Sequence, residues 1–182
     1  LVQRARDAAI AAAREQAEFK IAPTILMSVN PFIPKAWTPF QRHPFLGFAA
    51  IKKRIATVEK LIRRIPSVEM KYESPRESYF QALMSRGDRR VAKVLLHLHE
   101  NGLEWKHVCR NGDERIVADV PPADFYVLRQ PGAEEILPWE IVDLRIKRSL
   151  LEREYQRTFD EDVLPLIARA KQDLSRELCA AV

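Results

Sequence analysis

Ile25-Leu26-Met27-Ser28-Val29-Asn30-Pro31-Phe32-Ile33-Pro34-Lys35-Ala36-Trp37-Thr38-Pro39-Phe40-Gln41 is an apolar strand that runs into a proline-pinned aromatic loop. Continuous apolar character from Ile25 to Val29 predicts a strand buried on both faces, as in a parallel sheet. Proline fixes φ, removes a backbone donor and pushes the preceding residue toward extended geometry. Pro31, Pro34 and Pro39 are therefore expected to hold the loop in an extended path and keep it from forming helix. Rigid loops at the C-terminal ends of buried parallel strands are where α/β barrels place their chemistry.

Working outward, residues 2–17 read as an Ala-rich helix charged on one side, and Phe19–Val29 as the strand. Pro31–Pro44 is the loop. Leu46–Ile65 reads as an amphipathic helix, with Phe48, Ile51, Ile55, Val58, Leu61, Ile62 and Ile65 at helical spacing and Lys and Arg elsewhere. A short strand, Val68–Glu73, follows. Helix, strand, loop, helix and strand in that order look like the tail of a (β/α) barrel. This divides the chain into residues 1–66, the end of a barrel, and 67–182, a helical extension. The fold class expected is α+β, predominantly helical.

In the extension, Ser74-Pro75-Arg76-Glu77 reads as a capping box with proline at the first helical position, opening a helix Pro75–Met84. Gly87-Asp88 ends that helix and caps the next, Arg89–Glu100. Asn101-Gly102 closes this one in left-handed geometry. A short helix Leu103–Cys109 is expected next. Residues 110–137 read as irregular connection with one strand, Phe125–Leu128. Ile146–Phe159 and Glu161–Ala180 read as helices.

The chain has 182 residues, 47% hydrophobic and 30% charged, which suits one or two small globular domains. A net charge of +5 permits a nucleic-acid partner without demanding one, because Lys and Arg alternate with Asp and Glu. Two cysteines, Cys109 and Cys179, form no disulfide framework and suit a reducing cytoplasm. No apolar run spans a bilayer. The chain enters helical pattern at Val2 with no capping residue ahead of it. That reads as part of a longer polypeptide, or as a chain whose tail was trimmed.

Asn30, Thr38 and Gln41 offer polar groups at the strand end, and Phe32, Trp37 and Phe40 offer flat surfaces for a ring. The same aromatics also fit a packed crossover, the commoner role. His97-x-His99 and His107-x-Cys109 lack the spacing of structural zinc sites. Ser85–Arg90 gathers three arginines that could hold phosphate, but Asp88 opposes an anion, and a solvated turn explains them as well. The basic face of helix 46–65 could contact nucleic acid, yet no interleaved aromatic platform is legible, and a solvated face serves equally. Glu134–Asp143 combines acids with Trp139, as an acid–base pair or as an acidic helix start with an aromatic anchor.

Ser28-Val29-Asn30-Pro31-Phe32-Ile33-Pro34-Lys35 with Thr38-Pro39-Phe40-Gln41 resembles the last barrel strand and following loop of the cobalamin-binding-domain radical S-adenosylmethionine proteins. The resemblance continues in order through Glu73-Ser74-Pro75-Arg76, Gln81–Arg90, Asp124-Phe125-Tyr126, Leu137-Pro138-Trp139 and Arg153-Glu154-Tyr155-Gln156-Arg157. It covers roughly residues 20–157. It implies a partial (β/α)₆ barrel in which a [4Fe-4S] cluster, held by a C-x-x-x-C-x-x-C loop, cleaves S-adenosylmethionine to a 5′-deoxyadenosyl radical. This chain has no such loop. The resemblance therefore implies the C-terminal part of such an enzyme, inactive alone, with the cluster ligands and any cobalamin domain upstream. Its first partner would be that upstream remainder of the same protein. It also implies that Asn30, Pro31, Thr38, Pro39, Phe40 and Gln41 line the cofactor or substrate pocket, with the substrate unspecified. Arg42 stands where another aromatic is expected, and residues 107–122 have no counterpart. The alternative is a non-catalytic module that docks RNA or a protein through its basic helices.

Overall fold

The computed structural model describes residues 1–15, 23–110 and 112–159. The expected helix Glu161–Ala180, the last two residues of the first helix and Phe19–Ala22 of the expected strand lie outside them. Helix α1 is Val2–Glu15 and strand β1 is Ile25–Ser28. Helix α2 (Phe48–Ile62) and strand β2 (Val68–Lys71) follow. Next come α3 (Pro75–Arg86), α4 (Val91–Glu100), α5 (Lys106–Arg110), α6 (Ala123–Val127) and α7 (Arg148–Arg157). Short 3₁₀ turns occupy Pro39–Arg42 and Pro138–Ile141. The described chain is thus helix-rich with one small parallel sheet. It forms two compact units, Leu1–Ile33 with Pro44–Arg129, and Pro34–His43 with Gln130–Val182.

In the first unit, β1 and β2 pair in parallel, Ile25 opposite Val68 through Ser28 opposite Lys71. The Ile25 N–H donates to the Ser67 C=O and the Val29 N–H to the Lys71 C=O, both at 2.9 Å. Ile25, Met27 and Val29 therefore turn their backbone toward β2. The alternate residues, Leu26 and Ser28, face an edge that pairs with no strand among the described residues. Burial corrects one expectation. The strand is not buried on both faces: Ile25 and Met27 are half-buried, while Leu26 is 54% exposed. Helix α2 packs against β2.

Ile51, Ile55 and Ile62 form the buried stripe of α2, and its lysines and arginines face out. Ile51 and Ile55 share one core with Tyr79, Ala82 and Leu83 of α3, Val94 and Leu98 of α4, Val108 of α5 and Val127 of α6. The division at residue 66 has no counterpart in this core, because α2 completes the same apolar cluster as the helices that follow it.

Several local expectations hold. Pro75 opens α3, and Gly102 is left-handed at φ +62°. The Leu103 N–H donates to the Leu98 C=O and the Gly102 N–H to the His99 C=O, the two bonds of a Schellman motif. Other expectations fail. Ser74 makes no side-chain cap bond, so the capping box is not formed. The expected strand Phe125–Leu128 is helix α6, in which Ala123, Tyr126 and Val127 are buried at one-face spacing. There, tertiary burial overrides the β preference of aromatic and branched residues. The proline loop does contain helix, since Pro39 sits at the first position of a 3₁₀ turn, where its missing N–H costs nothing.

Ser78 on α3 is 0% exposed, and its hydroxyl has no hydrogen-bond partner among the described residues. A buried hydroxyl left unpaired opposes folding. Ser78→Ala is expected to leave stability unchanged or raise it by about 1 kcal/mol. Urea unfolding checks this, and a clear loss would mean that the hydroxyl has a partner.

Candidate functional site

Asn30 and Pro31 lie at the C-terminal end of β1, in the first unit. The Asn30 Oδ1 accepts from the Glu73 N–H at 3.0 Å, and its Nδ2 donates to the Ser28 Oγ at 3.5 Å. One amide thus ties the end of β1 to the residue two beyond β2. Asn30 remains exposed.

Thr38, Pro39, Phe40 and Gln41 belong to the second unit, where each has an internal role. The Thr38 hydroxyl donates to the Lys35 C=O at 2.7 Å. Gln41 is 5% exposed, and its Oε1 accepts from the Trp37 N–H at 3.2 Å and from the Trp139 indole N–H at 2.8 Å. The first of these bonds holds Trp37 at φ +56°, a left-handed conformation that a side chain of this size rarely adopts. The Phe40 ring packs edge-on to Tyr155 at 5.6 Å between centroids, and the Tyr155 hydroxyl meets the His43 Nδ1 at 2.9 Å.

Arg42 is the residue that sequence reasoning left without a role. Its guanidinium donates to the Gly132 C=O, to the Glu135 C=O at 2.7 Å and to the Glu140 carboxylate at 3.4 Å. It clasps the segment 132–140 against the 3₁₀ turn that carries it. The departure of Arg42 from the family pattern was the only signal pointing to it. Glu140, one of the candidate acids of segment 134–143, is thus engaged with Arg42.

In the first unit, the turn Ser85–Arg90 binds protein groups. Arg86 is 5% exposed; its Nε donates to the Tyr126 C=O at 2.8 Å and its Nη2 to the Arg129 C=O at 2.6 Å. Burial, with the nearby Arg129, lowers its pKa to about 10, so it stays charged at neutral pH. Asp88 accepts from the Arg90 backbone and guanidinium and from the Tyr126 hydroxyl at 3.2 Å. The Arg90 bonds hold its carboxyl below the usual range. Nearby, the Tyr79 hydroxyl donates to Asp124 at 2.6 Å; burial and that carboxylate push the phenol well above its ordinary value. Gly112 is needed beside this pair, because a Cβ there would lie 2.5 Å from the Tyr79 hydroxyl and 2.8 Å from the Asp124 Oδ1.

Among the described residues, no three His, Cys, Asp or Glu side chains come together to hold a metal ion. The Cys109 thiol donates to the Arg76 C=O at 3.3 Å. Burial raises its pKa to about 11, against an opposing pull from Arg76. Cys109 should therefore react slowly with iodoacetamide at neutral pH, the rate climbing with pH as the thiolate forms. Timed alkylation of a C179A variant measures this, and a rate equal to that of a free cysteine at neutral pH would contradict it. No helix among the described residues is long and apolar enough to cross a membrane.

Comparison with protein-family models, with curated proteins and with solved structures finds no match to this chain.

Proposed function

We propose that this chain forms the C-terminal wall and helical extension of a cytoplasmic radical S-adenosylmethionine enzyme. The observation that carries the reading is the β1–α2–β2 unit. Its strands are parallel, the β1 edge pairs with nothing described, and Leu26 is half-exposed on the uncovered face. Parallel sheets are ordinarily covered on both faces and extended by further strands. A preceding barrel strand would pair with that edge, and the side chains of the barrel interior would cover Leu26. Asn30 and Pro31 then follow the strand's C-terminal end, the position where such barrels hold ligands.

The cysteines present do not fit an iron–sulfur cluster. Cys109 is half-buried, holds its proton and is bonded to a backbone carbonyl, and Cys179 is the other cysteine of the chain. On this reading the cluster ligands come from the upstream remainder of the protein, and so does any cobalamin domain. For S-adenosylmethionine, the exposed Asn30 and the half-buried Pro31 are the strand-end groups suited to line a pocket. The Thr38 hydroxyl and the Gln41 carbonyl are engaged inside their own unit, with Lys35, Trp37 and Trp139.

The test is to express the complete reading frame anaerobically, reconstitute it with iron and sulfide, and add S-adenosylmethionine and a reductant. A charge-transfer absorption band and 5′-deoxyadenosine are expected. Their joint absence from a folded, full-length protein would remove the reading.

A further inference from the structure

We infer that the groove between α2 and the β2–α3 connection binds a single-stranded polynucleotide, with one base on the rings of Phe48 and Tyr72 and the adjoining phosphates on Lys52 and Arg76. The inference does not rest on the barrel reading, although Pro75, Arg76 and helix α2 figure in both.

The groove encloses about 340 Å³ and is lined by Phe48, Lys52, Ile55, Tyr72, Pro75 and Arg76, among others. That volume lies within the range of small-ligand sites, about 300–1,000 Å³, and is enough for one base. Phe48 is 39% exposed and Tyr72 46%, so two flat rings stay in contact with water beside a largely apolar floor. The Arg76 guanidinium lies 5.8 Å from the Phe48 ring centroid, already in the cation–π arrangement that accompanies base stacking. Lys52 follows Phe48 by one helical turn and is exposed. This supplies what the sequence of helix 46–65 lacked: an aromatic platform next to its cations, with Tyr72 and Arg76 contributed from beyond the helix.

Charge decides between a free nucleotide and a strand. Lys52, Lys53, Arg54, Lys60 and Arg64 are all exposed along or just beyond α2. Among the described residues, the ion pair on this helix is that of Arg63 with Glu59, at 2.8 Å. Glu59 also lines the groove, so its carboxylate is screened by that arginine. Lys53 and Lys60, seven residues and about 10 Å apart, share one face of α2 next to Lys52, a spacing of cations that suits successive phosphates rather than one. Rings for bases and a basic track for the backbone are the two parts of a sequence-tolerant single-strand site.

Fluorescence anisotropy of a short fluorescein-labelled RNA, its DNA counterpart and the RNA duplex, titrated with the 182-residue chain, tests the inference. Binding to one or both single strands is expected, falling steeply between about 50 and 200 mM salt. Tyr72→Leu should weaken it about fivefold or more, the usual effect of losing one stacking ring. Lys52→Glu and Arg76→Glu should weaken it and flatten the salt dependence by about one unit of slope per lost phosphate contact. Lys93→Glu changes net charge equally but replaces a lysine paired with Asp119 on α4, and should bind within about twofold of wild type. Far-UV circular dichroism confirms that each variant is folded. The inference is overturned if no single strand binds, if duplex binds as tightly, or if AMP competes as well as the oligonucleotide. Equal affinities for Tyr72→Leu and wild type, or for Lys52→Glu and Lys93→Glu, overturn it as well.

Discussion

Replacing Arg86 by alanine is expected to cost about 3 kcal/mol of folding stability or more, from the loss of hydrogen bonds made by a charged donor. The side chain is buried and reaches two backbone carbonyls, those of Tyr126 and Arg129. Burying a guanidinium is itself unfavourable, and burial already draws its pKa down. The charge is held there because the planar fork satisfies two carbonyls together. Removing it leaves both acceptors short of a donor and opens a void where the side chain was buried. Arg86→Lys should recover only part of the loss, since a single ammonium cannot reproduce the fork. Urea midpoints of the three proteins decide the matter. A loss below about 1 kcal/mol for the alanine variant would show that Arg86 is not the clasp described.

Gln41→Leu is expected to cost about 2 kcal/mol, because two part-buried donors, the Trp37 N–H and the Trp139 indole N–H, lose a common acceptor. Trp37 would also lose the bond that holds its left-handed backbone, a conformation costing about 1–3 kcal/mol when unsupported. The loop should then relax, and tryptophan emission should shift to the red as the indoles meet water. Gln41→Glu keeps an acceptor at the same place and should retain most of the stability. If the leucine variant unfolds within about 0.5 kcal/mol of wild type, the amide does not organise the loop.

These two residues show where the sequence was readable and where it was not. Helix α2 was legible from apolar spacing, the start of α3 from Pro75 and the left-handed close of α4 from Asn101-Gly102, because those signals are local. Gly102 needs no distant partner to be required there. Helix α6 was misread as a strand, since Asp124-Phe125-Tyr126-Val127 has β-forming side chains and its helical spacing shows only once Ala123 is known to be buried. Arg86 sat in a turn that looked like a solvated or phosphate-binding cluster. Its acceptors are carbonyls about 40 residues away, and carbonyls carry no sequence signal. Gln41 was singled out as a polar group for a ligand, whereas its carbonyl oxygen accepts from two tryptophans. The segments that carried the family resemblance supply several of these clasps: Arg86 and Asp88 meet Tyr126 in one unit, and Gln41 meets Trp139 in the other. Those segments are accordingly signatures of how the chain is tied together. The Phe48–Tyr72 groove escaped notice because its platform is assembled from two elements.

The second unit joins residues 34–43 to a second stretch that begins at residue 130 and is described as far as residue 159. Gln41 and Trp139 are 98 positions apart, and His43 and Tyr155 are 112 apart. At ribosomal speeds of about 5–20 residues per second, the first arm emerges roughly 5–20 s before its counterpart exists. During that wait Trp139 and Tyr155, the long-range partners of Gln41 and Phe40, have not yet been made. Pro31, Pro34 and Pro39, whose φ is fixed from synthesis onward, narrow the conformations open to this segment throughout that wait.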